Sequence, residues 1–131
     1  MTSAQVVLIA IGAVALAEST WGISAPDRLR DAVRVATSGA PERSLGIAGL
    51  FAGLAALMWI LMSAEERLSD WALLLLSWIF AGAALANAKR QGFSSLMDFM
   101  ILRRSAWAIR LFYTAEFAVA CGLIALGVSG A

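Results

Sequence analysis

The sequence predicts an all-α fold: an integral-membrane four-helix bundle carrying two short amphipathic helices on its cytoplasmic surface. Three observations predict it. First, 61% of the residues are hydrophobic and 15% are charged, against roughly half and a quarter in soluble domains. Second, residues 4–24, 45–62, 71–88 and 106–128 are four mostly apolar runs near the length of about 20 residues that crosses a bilayer. Inside lipid every backbone polar group must be bonded within its segment, so such runs are helices. Third, arginine and lysine are concentrated in two of the three connections. Residues 1–131 are thus expected to form a single transmembrane domain.

The first run begins "MTSAQVVLIAIGAVALA", without the basic start of a secretory leader, so a retained span is expected. Glu18 stands near its inner end. The connection at 25–37, "SAPDRLRDAVRVAT", opens with a capping-box pattern, Ser24 and Asp27, with Pro26 in the first turn. Leu29, Ala32, Val33 and Ala36 then alternate at helical spacing with Arg28, Arg30, Asp31 and Arg34. The second run contains Gly46 and a GxxxG pair, Gly49 and Gly53; Gly82 with Ala86 in the third and Gly122 with Ala118 in the fourth are comparable. Small residues let helices approach closely in lipid, so these glycines are the expected packing positions, serving the bundle or a homo-oligomer. The connection at 93–102 places Phe93, Leu96, Met97, Met100 and Ile101 on one helical face. Both amphipathic segments are expected at the inner membrane surface, with their arginines among anionic headgroups.

Orientation follows from the basic residues. Arg28, Arg30, Arg34 and Arg43 lie in the first connection, and Lys89, Arg90, Arg103 and Arg104 in the third. In the second, Arg67 is outweighed by Glu65, Glu66 and Asp70. The positive-inside rule then puts the first and third connections in the cytoplasm and both termini outside. Trp21 and Trp107 fall at the inner boundary and Trp59 and Trp71 near the outer one, where indoles concentrate. Trp78 alone lies at mid-depth, either packed against neighbours or lipid, or lining a site. The order span, surface helix, span occurs twice, and Phe51-Ala52 and Leu57 match Phe117-Ala118 and Leu123 in spacing. This pattern points to a tandem hairpin duplication.

Several chemistries drop out. The chain has one cysteine, Cys121, and no histidine. That removes disulfide frameworks, Cys/His metal sites and histidine-based nucleophilic catalysis. A net charge of +1 gives no cationic face for nucleic acid. No cofactor, metal site or catalytic residue follows from these residues.

What remains are ionisable groups inside spans, each costing on the order of 3 kcal/mol to insert: Glu18, Arg110 and Glu116. At about 1.5 Å of rise per residue, Glu18 and Arg110 fall roughly 9 and 6 Å deep from the inner side. An ion pair fixing the register of the first and fourth spans is the structural expectation. Glu116 lies deeper, one turn beyond Phe112 and Tyr113, and a carboxyl there is expected to hold its proton much of the time. Glu18, Glu116, Tyr113 and Trp78 together are the candidate lining of a polar-tipped pocket.

"APDRLRDAVR" after a span ending in Glu18, then "LGIAGLFAGLAAL", "FAGAALANAKRQGFSS" and "TAEFAVACGLIAL", resemble the DoxX-like four-helix bacterial inner-membrane proteins. The likeness covers most of the chain and rests on the spacing of Glu18, Pro26, Gly49, Gly53 and Glu116. It implies a four-span bundle and a subunit associated with redox or quinone-linked complexes. The favoured function is an accessory or scaffold subunit of a larger membrane complex, holding a lipid or quinone, and not an enzyme. Two alternatives stay open: a proton-coupled small transporter using the intramembrane glutamates, and an acid–base enzyme acting on a lipid or isoprenoid.

Overall fold

The computed structural model describes residues 2–37, 42–62, 65–88 and 92–130. Lys89 and Arg90, and the side chains of Ala36, Arg43 and Phe93, lie outside the described residues. The regular elements among the described residues are helices: α1, Ser3–Ser24; α2, Pro26–Thr37; α3, Glu42–Leu61; α4, Leu68–Asn87; α5, Gly92–Met97; and α6, Ala106–Ser129. A π-helical turn, Asp98–Leu102, continues α5. Helices α1, α4 and α6 are long and apolar enough to cross a membrane; the apolar part of α3, Leu45–Leu61, is shorter.

The helix ends are set locally. Thr2 Oγ1 accepts from the Gln5 backbone N–H at 3.2 Å, and Gln5 Oε1 accepts from the Thr2 N–H at 2.8 Å, a reciprocal cap on α1. Ser105 Oγ accepts from the Ala108 N–H at 3.2 Å and starts α6. Gly130, at φ 72°, ends α6 in the left-handed region while its N–H reaches Leu126 O. Between α1 and α2 the expected cap is absent. Ser24 Oγ donates back to Thr20 O at 2.6 Å, because the chain barely leaves the helix there. Ala25 N–H still reaches Trp21 O and Leu29 N–H reaches Ala25 O, so Pro26 breaks a nearly continuous helix.

Helix α1 packs chiefly on α6, and α3 chiefly on α4. The buried residues of α1, Leu8, Gly12, Ser19 and Gly22, recur at three- and four-residue spacing. So do Ile109, Tyr113, Ala120, Leu123 and Gly127 on α6, and two such stripes interlock when helices run nearly antiparallel. The register is fixed at four levels. Gln5 Nε2 donates to Gly127 O at 3.0 Å. A methyl group on Gly12 would sit 3.0 Å from Ala120 O and 2.6 Å from Ile124 Cγ1. One on Gly22 would fall inside the Tyr113 ring. Arg110 Nε donates to Ile23 O at 3.2 Å.

The glycines expected to pack are elsewhere. Gly46, Gly49, Gly53, Gly82 and Gly122 have open space where a Cβ would stand, and all five are exposed. The tight contacts fall instead on Gly12, Gly22 and Gly127. A GxxxG pattern reports the capacity for close approach, whereas the partner's shape decides which small residues are used. Here Tyr113, Ile124 and Ile9 supply the bulk that only a glycine can face.

Two apolar cores close the molecule at opposite ends. Leu8, Met58, Leu73, Leu76 and Leu123 join α1, α3, α4 and α6 at one end. Leu29, Ile101, Ile109 and Tyr113 form the other, flanked by Ile23, Val33, Met97 and Met100. The apolar faces of α2 and the π turn are therefore spent on each other and on the ends of α1 and α6. Arg30 Nη2 donates to Arg104 O at 2.6 Å and ties α2 to the start of α6.

The second half repeats the element order of the first: α1, α2, α3 against α4, α5 with its π turn, α6. With α1 matched to α4 and α3 to α6, the α1–α6 and α3–α4 pairs are one pairing viewed from either half. Side-chain burial does not follow that match: Leu123 is 7% exposed and Leu57 41%.

Gly22→Ala is expected to destabilise the folded protein by about 1–3 kcal/mol through overpacking against Tyr113. Gly49→Ala, in open space, should be neutral or gain up to about 1 kcal/mol from helix propensity. Denaturant unfolding in detergent, followed by circular dichroism, checks the order; a larger loss at Gly49 would place the tight seam on α3.

Candidate functional site

The seam register carries Glu18 to the level of Glu116 rather than to that of Arg110. Glu116 falls in the inward stripe of α6, between Tyr113 and Ala120, and is half-buried. Glu18 stands on the flank of α1 next to buried Ser19 and is exposed. The carboxyl of Glu116 lies near that of Glu18 across the seam. Tyr113, only 2% exposed, donates its phenol to Glu18 Oε1 at 3.4 Å. Phe112 supports the Tyr113 ring edge-on, with centroids 5.1 Å apart.

No ion pair joins Glu18 to Arg110 among the described residues. Arg110 points the other way and donates to Ile23 O at 3.2 Å, where a cation offsets the partial negative charge of a helix C-terminus. Depth counting placed these two residues level because it treated both helix ends as one plane. In fact Ile109 at the start of α6 packs beside Leu29 and Ile101, so the first turn of α6 runs on past the end of α1.

Nearby hydroxyls are committed elsewhere. Ser19 Oγ and Thr20 Oγ1 both donate to Leu16 O, at 3.0 and 2.8 Å, and Thr114 Oγ1 donates to Arg110 O at 2.7 Å. Glu116 Oε2 is buried and has no hydrogen-bond partner. The site is therefore a dicarboxyl pair with a phenol, built at a seam and open on the Glu18 side. It can hold a proton, accept a hydrogen bond from a hydroxyl or protonated headgroup, or receive a cationic side chain.

Trp78 does not belong to it. The indole is 70% exposed on the outside of α4, while its neighbour Ser77 turns inward and donates to Ala55 O at 3.1 Å. The reading that survives is contact with lipid or a partner. Gly22 is the residue that sequence reasoning passed over, since it seats Tyr113 against α1. Its signal was the series Gly12, Ala15, Ser19, Gly22, a small-residue stripe at the spacing of a packed face. Asn87 was also missed: it is fully buried in α4 and donates Nδ2 to Ala83 O at 2.8 Å. Among the described residues no cluster of three His, Cys, Asp or Glu side chains could hold a metal ion.

Comparison with known protein families, curated proteins and solved structures returns no match to this chain.

Tyr113→Phe, which removes only the hydroxyl facing Glu18, should cost about 0.5–1.5 kcal/mol of stability. Tyr113→Ala, which also empties the ring's seat against Gly22, should cost about 3–5 kcal/mol. Unfolding of both variants in one detergent separates the polar from the packing share; equal losses would assign all of it to the hydroxyl and none to the ring.

Proposed function

We propose that the chain is a small four-span protein of the bacterial inner membrane, acting as an accessory or scaffold subunit of a larger membrane complex. The observation that carries this reading is where the polar group sits. The Glu18–Glu116–Tyr113 cluster opens sideways at an exposed flank of the α1–α6 seam. A carboxyl facing acyl chains is costly, and it is relieved by a cationic or hydroxyl-bearing partner lying alongside. A neighbouring subunit, or the headgroup of a lipid or quinone held between the two, is such a partner.

Other features agree. Leu45–Leu61 spans about 25 Å as a helix, close to a hydrocarbon core about 30 Å thick, which supports α3 as the fourth span. The basic residues of α2 and the π-turn segment support a cytoplasmic location for those helices and an outside location for both termini. The repeated element order supports duplication of a hairpin, and with it the likeness to DoxX-like proteins. The outward glycines of α3 and α6 leave shallow faces on which another membrane helix, including one from a second copy, can lie closely.

Convergence of two carboxyls also favours a second reading, proton-coupled transport, in which the pair exchanges its proton for a cationic substrate. Purification of the native protein in mild detergent, with mass spectrometry of what co-elutes, separates the two. The subunit reading expects a larger membrane protein in fixed stoichiometry, lost in the Glu18→Gln, Glu116→Gln double variant. A chain that elutes alone and releases protons on adding lipophilic cations, with Glu116→Gln abolishing the release, would replace it with transport.

A further inference from the structure

A cleft of about 380 Å³ opens at the other flank of α6, lined by Phe99, Met100, Arg104, Ala108 and Phe112. One wall is the face of α6 that carries Ala108 and Phe112, one turn apart; Arg104 stands just before the helix, with Phe99 and Met100 of the π turn opposite. The wide turn is what shapes it. Arg103 N–H reaches back to Asp98 O, and Phe99 O is left to accept from Arg104 Nε at 3.1 Å. The guanidinium also lies over the Phe99 ring, 4.9 Å from its centroid. Its neighbour Arg103 is neutralised by Asp98 at 2.5 Å. Arg104 is held in place through Nε and by its ring contact, and among the described residues neither a carboxylate nor any other acceptor engages its terminal nitrogens.

We propose that this cleft is a binding site for an anionic phospholipid, the phosphate on Arg104 and the first part of an acyl chain along Ala108 and Phe112. Charge sits at one end only. From there the apolar wall, Ala108 to Phe112, runs about 6 Å along a helix apolar enough to cross a membrane. That polarity matches an amphiphile lying parallel to the span, whereas an acidic peptide would need donors along the whole length. The planar, forked guanidinium suits phosphate oxygens. The site is separate from the acidic seam, which would repel the same ligand, and does not rest on the subunit reading.

The full-length protein, reconstituted in nanodiscs of phosphatidylglycerol and phosphatidylcholine and then examined by native mass spectrometry, tests this. The wild type should retain phosphatidylglycerol over phosphatidylcholine by about fivefold, the preference one surface arginine supplies. Arg104→Gln should bring that ratio close to one, Arg103→Gln should leave it, and Ala108→Trp should empty the cleft of either lipid. No preference in the wild type would overturn the proposal, as would equal losses in Arg103→Gln and Arg104→Gln. Displacement of the lipid by inorganic phosphate or by an acidic peptide would also overturn it. Circular dichroism reports folding, and if Ala108→Trp does not fold, the two arginine variants decide alone.

Discussion

The rest of the molecule depends on the contact between Gly22 and the ring of Tyr113. Only a residue without a side chain leaves room for that ring, and once it is seated, α1 and α6 can no longer slide by a turn. The same fit recurs at Gly12 against Ala120 and Ile124, and at Gly127 against Ile9. In lipid, where helix association cannot draw on the hydrophobic effect, close packing of this kind is a main source of specificity. Each polar feature at the seam is then a consequence of register. Gln5 reaches Gly127 O, Arg110 reaches Ile23 O, and Glu18 is left facing Glu116.

That register separates the charges that a residue count would bring together. Arg110 serves the end of α1, and among the described residues no cation pairs with the carboxyls. A dicarboxyl pair with a phenol donor then looks outward for any further partner. The start of α6 has the reverse character, the Arg104 guanidinium beside an apolar cleft. An acidic site along α6 and a basic site just before its start thus lie at different depths.

Much of the fold was legible because long apolar runs in a chain this poor in charge admit little but helices, and Pro26 and the amphipathic spacing marked α2 and the π-turn segment. Partners were not legible. The exposed GxxxG of Gly49 and Gly53 and the buried series Gly12, Ser19, Gly22 look alike as letters, and only the bulk opposite them distinguishes the two. Glu18, Tyr113 and Glu116 were each visible as candidates, yet their convergence depends on the first turn of α6 running past the end of α1. Trp78 was visible as an anomaly of depth, and it faces outward because its neighbour Ser77 turns inward toward Ala55.

The central claim is that the α1–α6 register makes Glu116, and not Arg110, the neighbour of Glu18. Infrared spectroscopy of the carboxyl stretches in lipid-reconstituted protein reads that neighbour directly. Glu116→Gln should shift the band assigned to Glu18, while Arg110→Gln leaves it in place. A Glu18 band that moves in Arg110→Gln and is unchanged in Glu116→Gln would contradict the register and return Glu18 to an ion pair.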